Sequence, residues 1–125
     1  MAHILALDDV SDAAQLIRRI LERKGHSVKA LTDEDEALRY VERNPVDMVI
    51  LDMKLKRMSG VEVLRKMKAI RPQLRAIMLT GYPTLDTAHA SLRLGASAYC
   101  VKPIDKSELE TTVERVLSEP NIPLA

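Results

Sequence analysis

Apolar positions cluster into five short runs along the chain: Ile4–Leu7, Ser27–Leu31, Asp47–Leu51, Ala76–Leu79 and Ala98–Val101. Each is too short for a helix and is bounded by polar or turn residues, so each predicts a strand. The segments between them carry helical spacing instead. Ala13, Leu16, Ile17, Ile20 and Leu21 fall on one helical face, with Gly25 where that helix should stop. Ala37, Leu38 and Val41 follow the acidic opening Asp33, Glu34, Asp35 and Glu36, which suits a helix N-terminus, and Pro45 ends the segment. Val63, Leu64, Met67 and Ile70 mark a third helix, closed by Pro72. Leu85, Ala88 and Leu92 mark a fourth, with Thr84 as its cap and Gly95 as its stop. Leu109, Val113, Val116 and Leu117 mark the fifth, which opens on a capping-box-like Asp105 to Glu108 and closes at Pro120.

Strict alternation of strand and helix predicts an α/β fold, a doubly wound parallel sheet with helices on both faces. Such sheets place ligands beyond the carboxyl ends of their strands, where strand order reverses. The chain of 125 residues matches one domain with a real core. Residues 1–120 are expected to form it, and 121–125 a tail or the start of a shortened linker. Nineteen basic against eighteen acidic residues leave a net charge of +1, so bulk charge argues for neither nucleic acid nor an anionic membrane. A single cysteine, Cys100, excludes an internal disulfide and reads as a small core residue. Three scattered histidines (His3, His26 and His89) offer no structural zinc site. No apolar run approaches the roughly 20 residues of a membrane helix. The first residues lack the pattern of a secretion signal, so a cytoplasmic setting is expected.

Polar residues gather at the strand ends. The first strand ends in Asp8 and Asp9, the third in Asp52, the fourth in Thr80 and the fifth in Lys102 and Pro103. One acid at a strand end only marks the return to water; three acids, a hydroxyl and a lysine on one rim are harder to dismiss. With strand order 2-1-3-4-5 the first and third strands are neighbours, and Asp8, Asp9 and Asp52 crowd one space. Like charges there repel unless a cation intervenes. Carboxylate oxygens suit Mg²⁺, a hard ion that also takes water and phosphate oxygens. Lys102 and Thr80 supply a charge and a donor for a further anionic group. The rim therefore suits a phosphoryl group arriving on Asp52, since a carboxylate can accept phosphate covalently.

The stretches LALDDV, VILDM with the later MSG, MLTGY and AYCVKP, in that order and at strand ends, resemble the receiver domain of bacterial two-component response regulators. The resemblance runs from about Ala2 to Ser118. It implies a flavodoxin-like (βα)5 fold with a five-stranded parallel sheet in order 2-1-3-4-5. It implies that Asp52 is phosphorylated by a sensor histidine kinase or phosphotransfer protein. Asp8, Asp9, Asp52 and the backbone carbonyl of Lys54 would hold Mg²⁺, Lys102 would contact the phosphoryl group, and Thr80 with Tyr99 would form the switch pair. The Lys102–Pro103 bond would be cis. The domain would hydrolyse its own phosphoryl group slowly, without being a turnover enzyme. Such domains pair through the face of the fourth helix, fifth strand and fifth helix, so a homodimer there is one expected assembly. DNA binding would fall to a C-terminal output domain outside this chain.

Two departures from the family pattern stand near Asp52. Lys56 replaces the usual proline, which removes a φ restraint and predicts a loop more mobile before Mg²⁺ binds. Lys54 and Tyr82, each two residues past a site residue, present a long cation and a bulky ring where they would shield an acyl phosphate, which predicts slow self-dephosphorylation. A competing reading is a receiver-like interaction module that takes no phosphate; the intact set of five site residues argues against it. An aspartyl-nucleophile phosphatase would want its nucleophile after the first strand in an Asp-x-Asp pattern, and here Val10 follows adjacent acids. A dinucleotide or flavin protein would want a glycine- or hydroxyl-rich first loop, and neither that nor a P-loop is present.

Overall fold

The computed structural model describes residues 1–120; the tail expected at 121–125 lies outside the described residues. Strands and helices alternate as β1 (His3–Leu7), α1 (Ser11–Glu22), β2 (Ser27–Leu31), α2 (Glu34–Arg43), β3 (Met48–Asp52), α3 (Gly60–Ile70), β4 (Arg75–Thr80), α4 (Leu85–Arg93), β5 (Ala98–Val101) and α5 (Lys106–Ser118). The sheet is wholly parallel in the order β2-β1-β3-β4-β5. Its register sets Leu7 beside Leu51, Asp52 beside Leu79, and Thr80 beside Val101, so the polar strand ends share one rim.

Alternation along the buried strands sends side chains to two cores. Ile4, Ala6, Met48, Ile50, Ile77 and Leu79 pack on one face with Ile17 and Leu21 of α1 and with Leu109, Val113 and Val116 of α5. Leu5, Leu7, Val49, Leu51, Ala76 and Met78 pack on the other with Ala37 and Val41 of α2 and with Val63, Leu64 and Met67 of α3. Side chains of the residues before α2, α3, α4 and α5 accept amide hydrogen bonds from the first turn: Asp33, Ser59, Thr84 and Asp105. Thr84 and Thr87 form a reciprocal capping box. Gly25 and Gly95 follow α1 and α4 at φ of 93° and 89°, the left-handed conformation that glycine adopts without a Cβ clash. No helix among the described residues is long and apolar enough to cross a membrane.

One helix departs from its expected face. Leu85 and Leu92 of α4 point outward, 71% and 54% exposed, and the buried position of α4 is Ser91. Leu16 and Ile70 also turn partly to solvent at the edges of their helices' faces. Periodicity locates a helix, but which of several small or apolar positions faces inward depends on how the helix is seated. Here α4 lies beside the edge strand β5, with less sheet to cover.

Candidate functional site

The rim formed by the strand ends brings Asp8, Asp9, Asp52 and Lys102 into one cluster. Asp8 is fully buried and Asp52 is 6% exposed, while Asp9 is half-buried. One carboxylate oxygen from each acid lies within 4.8 Å of those from the other two. Lys102 reaches both buried acids, its Nζ lying 2.7 Å from Asp8 Oδ2 and 3.3 Å from Asp52 Oδ2. The other oxygens are turned by local backbone: Asp8 Oδ1 accepts the N–H of Val10 at 2.9 Å, and Asp52 Oδ1 that of Lys54 at 3.3 Å.

Electrostatics follow from this packing. Burial pushes the Asp52 carboxyl above its ordinary value and the charge of Asp8 adds to that; Lys102 and the Lys54 amide only partly oppose them. Burial pulls the Lys102 amine down, but its bond to Asp8 and the charges of both acids more than reverse this, so it stays protonated. A single lysine against three acids leaves the cluster short of positive charge. Three hard carboxylate oxygens so arranged fit a small divalent cation such as Mg²⁺.

Thr80 ends β4, buried, and its Oγ1 accepts the N–H of Tyr82 at 3.0 Å. Tyr99 lies two residues before the partner of Thr80 on β5, on the same sheet face, and is half-buried. Its hydroxyl is 2.9 Å from Thr87 Oγ1 on α4, so the ring is tied to the helix start. Lys54 Nζ stands over the Tyr82 ring, 5.8 Å from its centroid, and so bridges the ends of β3 and β4. The Lys102–Pro103 peptide bond is cis. Cys100 is buried in the core, and burial pushes its thiol up, away from reactivity. His89 is exposed on α4, clear of the cluster.

The loop between β3 and α3 is shaped around this cluster. Gly60 donates its N–H to the Met53 carbonyl at 2.8 Å, and Lys54 bridges to Ser59, closing a tight turn. A Cβ on Gly60 would lie 2.2 Å from the Asp52 carbonyl oxygen and 2.8 Å from Met53 Cα, so only glycine fits behind the site. Glu34, whose sequence signal was only that of an acid in a helix's first turn, is buried and accepts the backbone N–H groups of Arg57 and Met58. Arg57 in turn pairs with Asp33 and Asp35. Nothing in the sequence marks this tie, because the loop side of it is backbone.

The family model described as the response regulator receiver domain matches residues 4–114. Sporulation initiation phosphotransferase F of Bacillus subtilis is 33% identical over 114 residues, which cover 91% of this chain and 92% of that protein. Transcriptional regulatory protein ZraR of Escherichia coli O157:H7 is 29% identical over 119 residues; these are 95% of this chain but only 27% of that regulator's length. Among solved structures, a CheY-like response regulator receiver domain protein from Methanospirillum hungatei superposes with a TM-score of 0.90 at 32% identity, covering 94% of each chain.

Proposed function

This chain belongs to the response regulator receiver domains of two-component systems, and on that premise we propose that Asp52 is its phosphoryl acceptor, served by a sensor histidine kinase or phosphotransfer protein. The observation that carries this reading is the geometry of Lys102, whose ammonium spans Asp8 and Asp52 at 2.7 and 3.3 Å on a rim that also holds Asp9. A carboxylate oxygen of Asp52 would attack phosphorus as the phosphorus–nitrogen bond to the donor histidine breaks, and the imidazole would leave with that electron pair. Asp8, Asp9, Asp52 and the Lys54 carbonyl are the ligands we assign to Mg²⁺, which when bound would offset the negative charge gathered on the acids and the incoming phosphoryl oxygens. Lys102 would exchange one of its carboxylate contacts for a phosphoryl oxygen.

The same reading assigns the signal to Thr80 and Tyr99. A phosphoryl group adds strong acceptor oxygens beside Thr80, whose hydroxyl would turn from the Tyr82 amide toward them and vacate space on the Tyr99 side. The group acts only as far as it favours one arrangement over the other. We assign the readout surface to α4, β5 and α5, where Leu92 and Val101 stand exposed, with a second copy of this domain as one partner for it. Residues 1–120 would form the whole receiver, in the cytoplasm, with any DNA contact left to an output domain outside this chain.

Incubation with Mg²⁺ and acetyl phosphate, followed by intact mass measurement, tests the central claim. The expected result is one phosphoryl adduct on the wild type and none on Asp52→Asn. An unmodified wild type would overturn it in favour of an interaction module that takes no phosphate, and an undiminished adduct on the variant would overturn it by placing the acceptor at another residue.

A further inference from the structure

The loop after Asp52 carries Lys54, whose backbone carbonyl is the one assigned cation ligand that no side chain supplies, and it lacks the φ restraint that a proline at position 56 would give. Another element supplies a restraint instead. Glu34, the first residue of α2, is 1% exposed, and its Oε2 accepts the N–H of Arg57 and, at 3.1 Å, that of Met58, partners 23 and 24 residues away. The Arg57 guanidinium returns to Asp33 and Asp35, so loop and helix start are joined by side chain as well as backbone.

A carboxylate shut from water is costly unless charge-assisted bonds replace its hydration. Burial pushes the Glu34 carboxyl up, yet the amides of Arg57, Glu34 itself and Met58, with the Arg57 charge, outweigh it and hold the carboxyl below its ordinary value. The side chain is therefore ionised and committed to the loop. Asp33 already caps α2 through the Glu36 amide, so the helix does not need Glu34 for that purpose.

We propose that Glu34 is a positioning residue for the cation and phosphoryl site, clamping the β3–α3 loop so that the Lys54 carbonyl is held in place before the cation arrives. The proposal rests on the Mg²⁺ reading of the preceding subsection. Apparent cation affinity scales with the fraction of molecules whose loop is ordered, so loosening the loop weakens affinity without touching any ligand.

Three variants test it: Glu34→Ala removes the acceptor, Glu34→Gln leaves a neutral one, and Arg57→Ala removes the guanidinium while keeping both amide bonds. Amide hydrogen exchange of residues 57 and 58 is measured by NMR in the metal-free proteins, together with Mg²⁺ affinity by titration and thermal midpoint. Glu34→Ala is expected to exchange about tenfold faster at both amides, the scale of one lost charge-assisted bond, and to bind Mg²⁺ about fivefold more weakly. Glu34→Gln should fall between it and wild type, and Arg57→Ala within about twofold of wild type. A Glu34→Ala protein that melts earlier but binds Mg²⁺ as wild type does would overturn the proposal, leaving Glu34 a structural residue. A wild type that shows no Mg²⁺ response would instead overturn the metal reading, and the positioning role with it. Should Glu34→Ala not fold, Glu34→Gln decides on the same two readouts.

Discussion

The two loops that leave the middle of the rim are built differently. The loop after β3 is tied down at several points although its basic side chains reach solvent: Gly60 lies against the Asp52 carbonyl, Lys54 bridges to Ser59, and Glu34 holds two of its amides. The loop after β4 stands in the open, with Tyr82 79% exposed, nothing within 4 Å of a Cβ built on Gly81, and an α4 that buries little beyond Ser91. The carboxylate proposed as acceptor, Asp52, thus sits on the fixed side and the residues assigned to the readout on the loose side. A covalent acceptor needs preorganised surroundings, whereas an element that moves has to come from the less stable parts of a fold.

Substitutions matched across the two sides should separate them. The largest contrast is between glycines: Gly60→Ala forces β3 backbone apart and should cost about 3 kcal/mol or more in urea unfolding. Gly81→Ala meets open space and should be neutral or stabilise by up to about 1 kcal/mol, through the entropy of the unfolded chain. Equal costs would erase the contrast. Next are two leucines: fully buried Leu64→Ala on α3 should cost about 3 kcal/mol, against under about 0.5 kcal/mol for Leu92→Ala on α4.

A third contrast depends on pH. Because the Glu34 carboxyl is held below its ordinary value of 4.5, the stability it lends is complete above that value and is lost as pH falls through the lower folded one. Wild type should exceed Glu34→Gln by about 1–2 kcal/mol at about pH 7, and that gap should narrow toward about pH 3. A gap independent of pH would mean that the carboxylate charge contributes nothing. The smallest effect concerns the link between the two sides. If Lys54 over Tyr82 shields the acyl phosphate, the double variant Lys54→Ala, Tyr82→Ala should shorten the phosphorylated half-life by about two- to fivefold. A lifetime unchanged in that variant would leave the pair without a protective role.

The fixed side was largely legible in the sequence. Short apolar runs ending in Asp8, Asp52, Thr80 and Lys102 located the strands and the rim, because a strand buried on both faces leaves an unbroken apolar signature that stops where the chain meets polar surroundings. The loose side was not. Leu85 and Leu92 have the spacing of an inward face and turn outward, since spacing carries no information about which face the edge of a sheet will accept. Glu34 was hidden for another reason: among four acids opening a helix it looks like any first-turn charge, and its partners are amides, which no side chain advertises. For the same reason Lys56 on its own read as a lost restraint.

The hydroxyls of Tyr99, Thr87 and Thr84 form a short chain, with 2.9 and 2.8 Å steps. Each hydroxyl has one proton to give, and Thr87 is also placed to donate to the Thr84 carbonyl at 3.1 Å. The aromatic ring and the first turn of α4 are therefore joined by hydrogen bonds, as a crank is pinned to its rod. If the ring rotates as the proposed switch requires, that joint has to break or the helix start has to move with it, and exposed Leu92 stands at the other end of the helix.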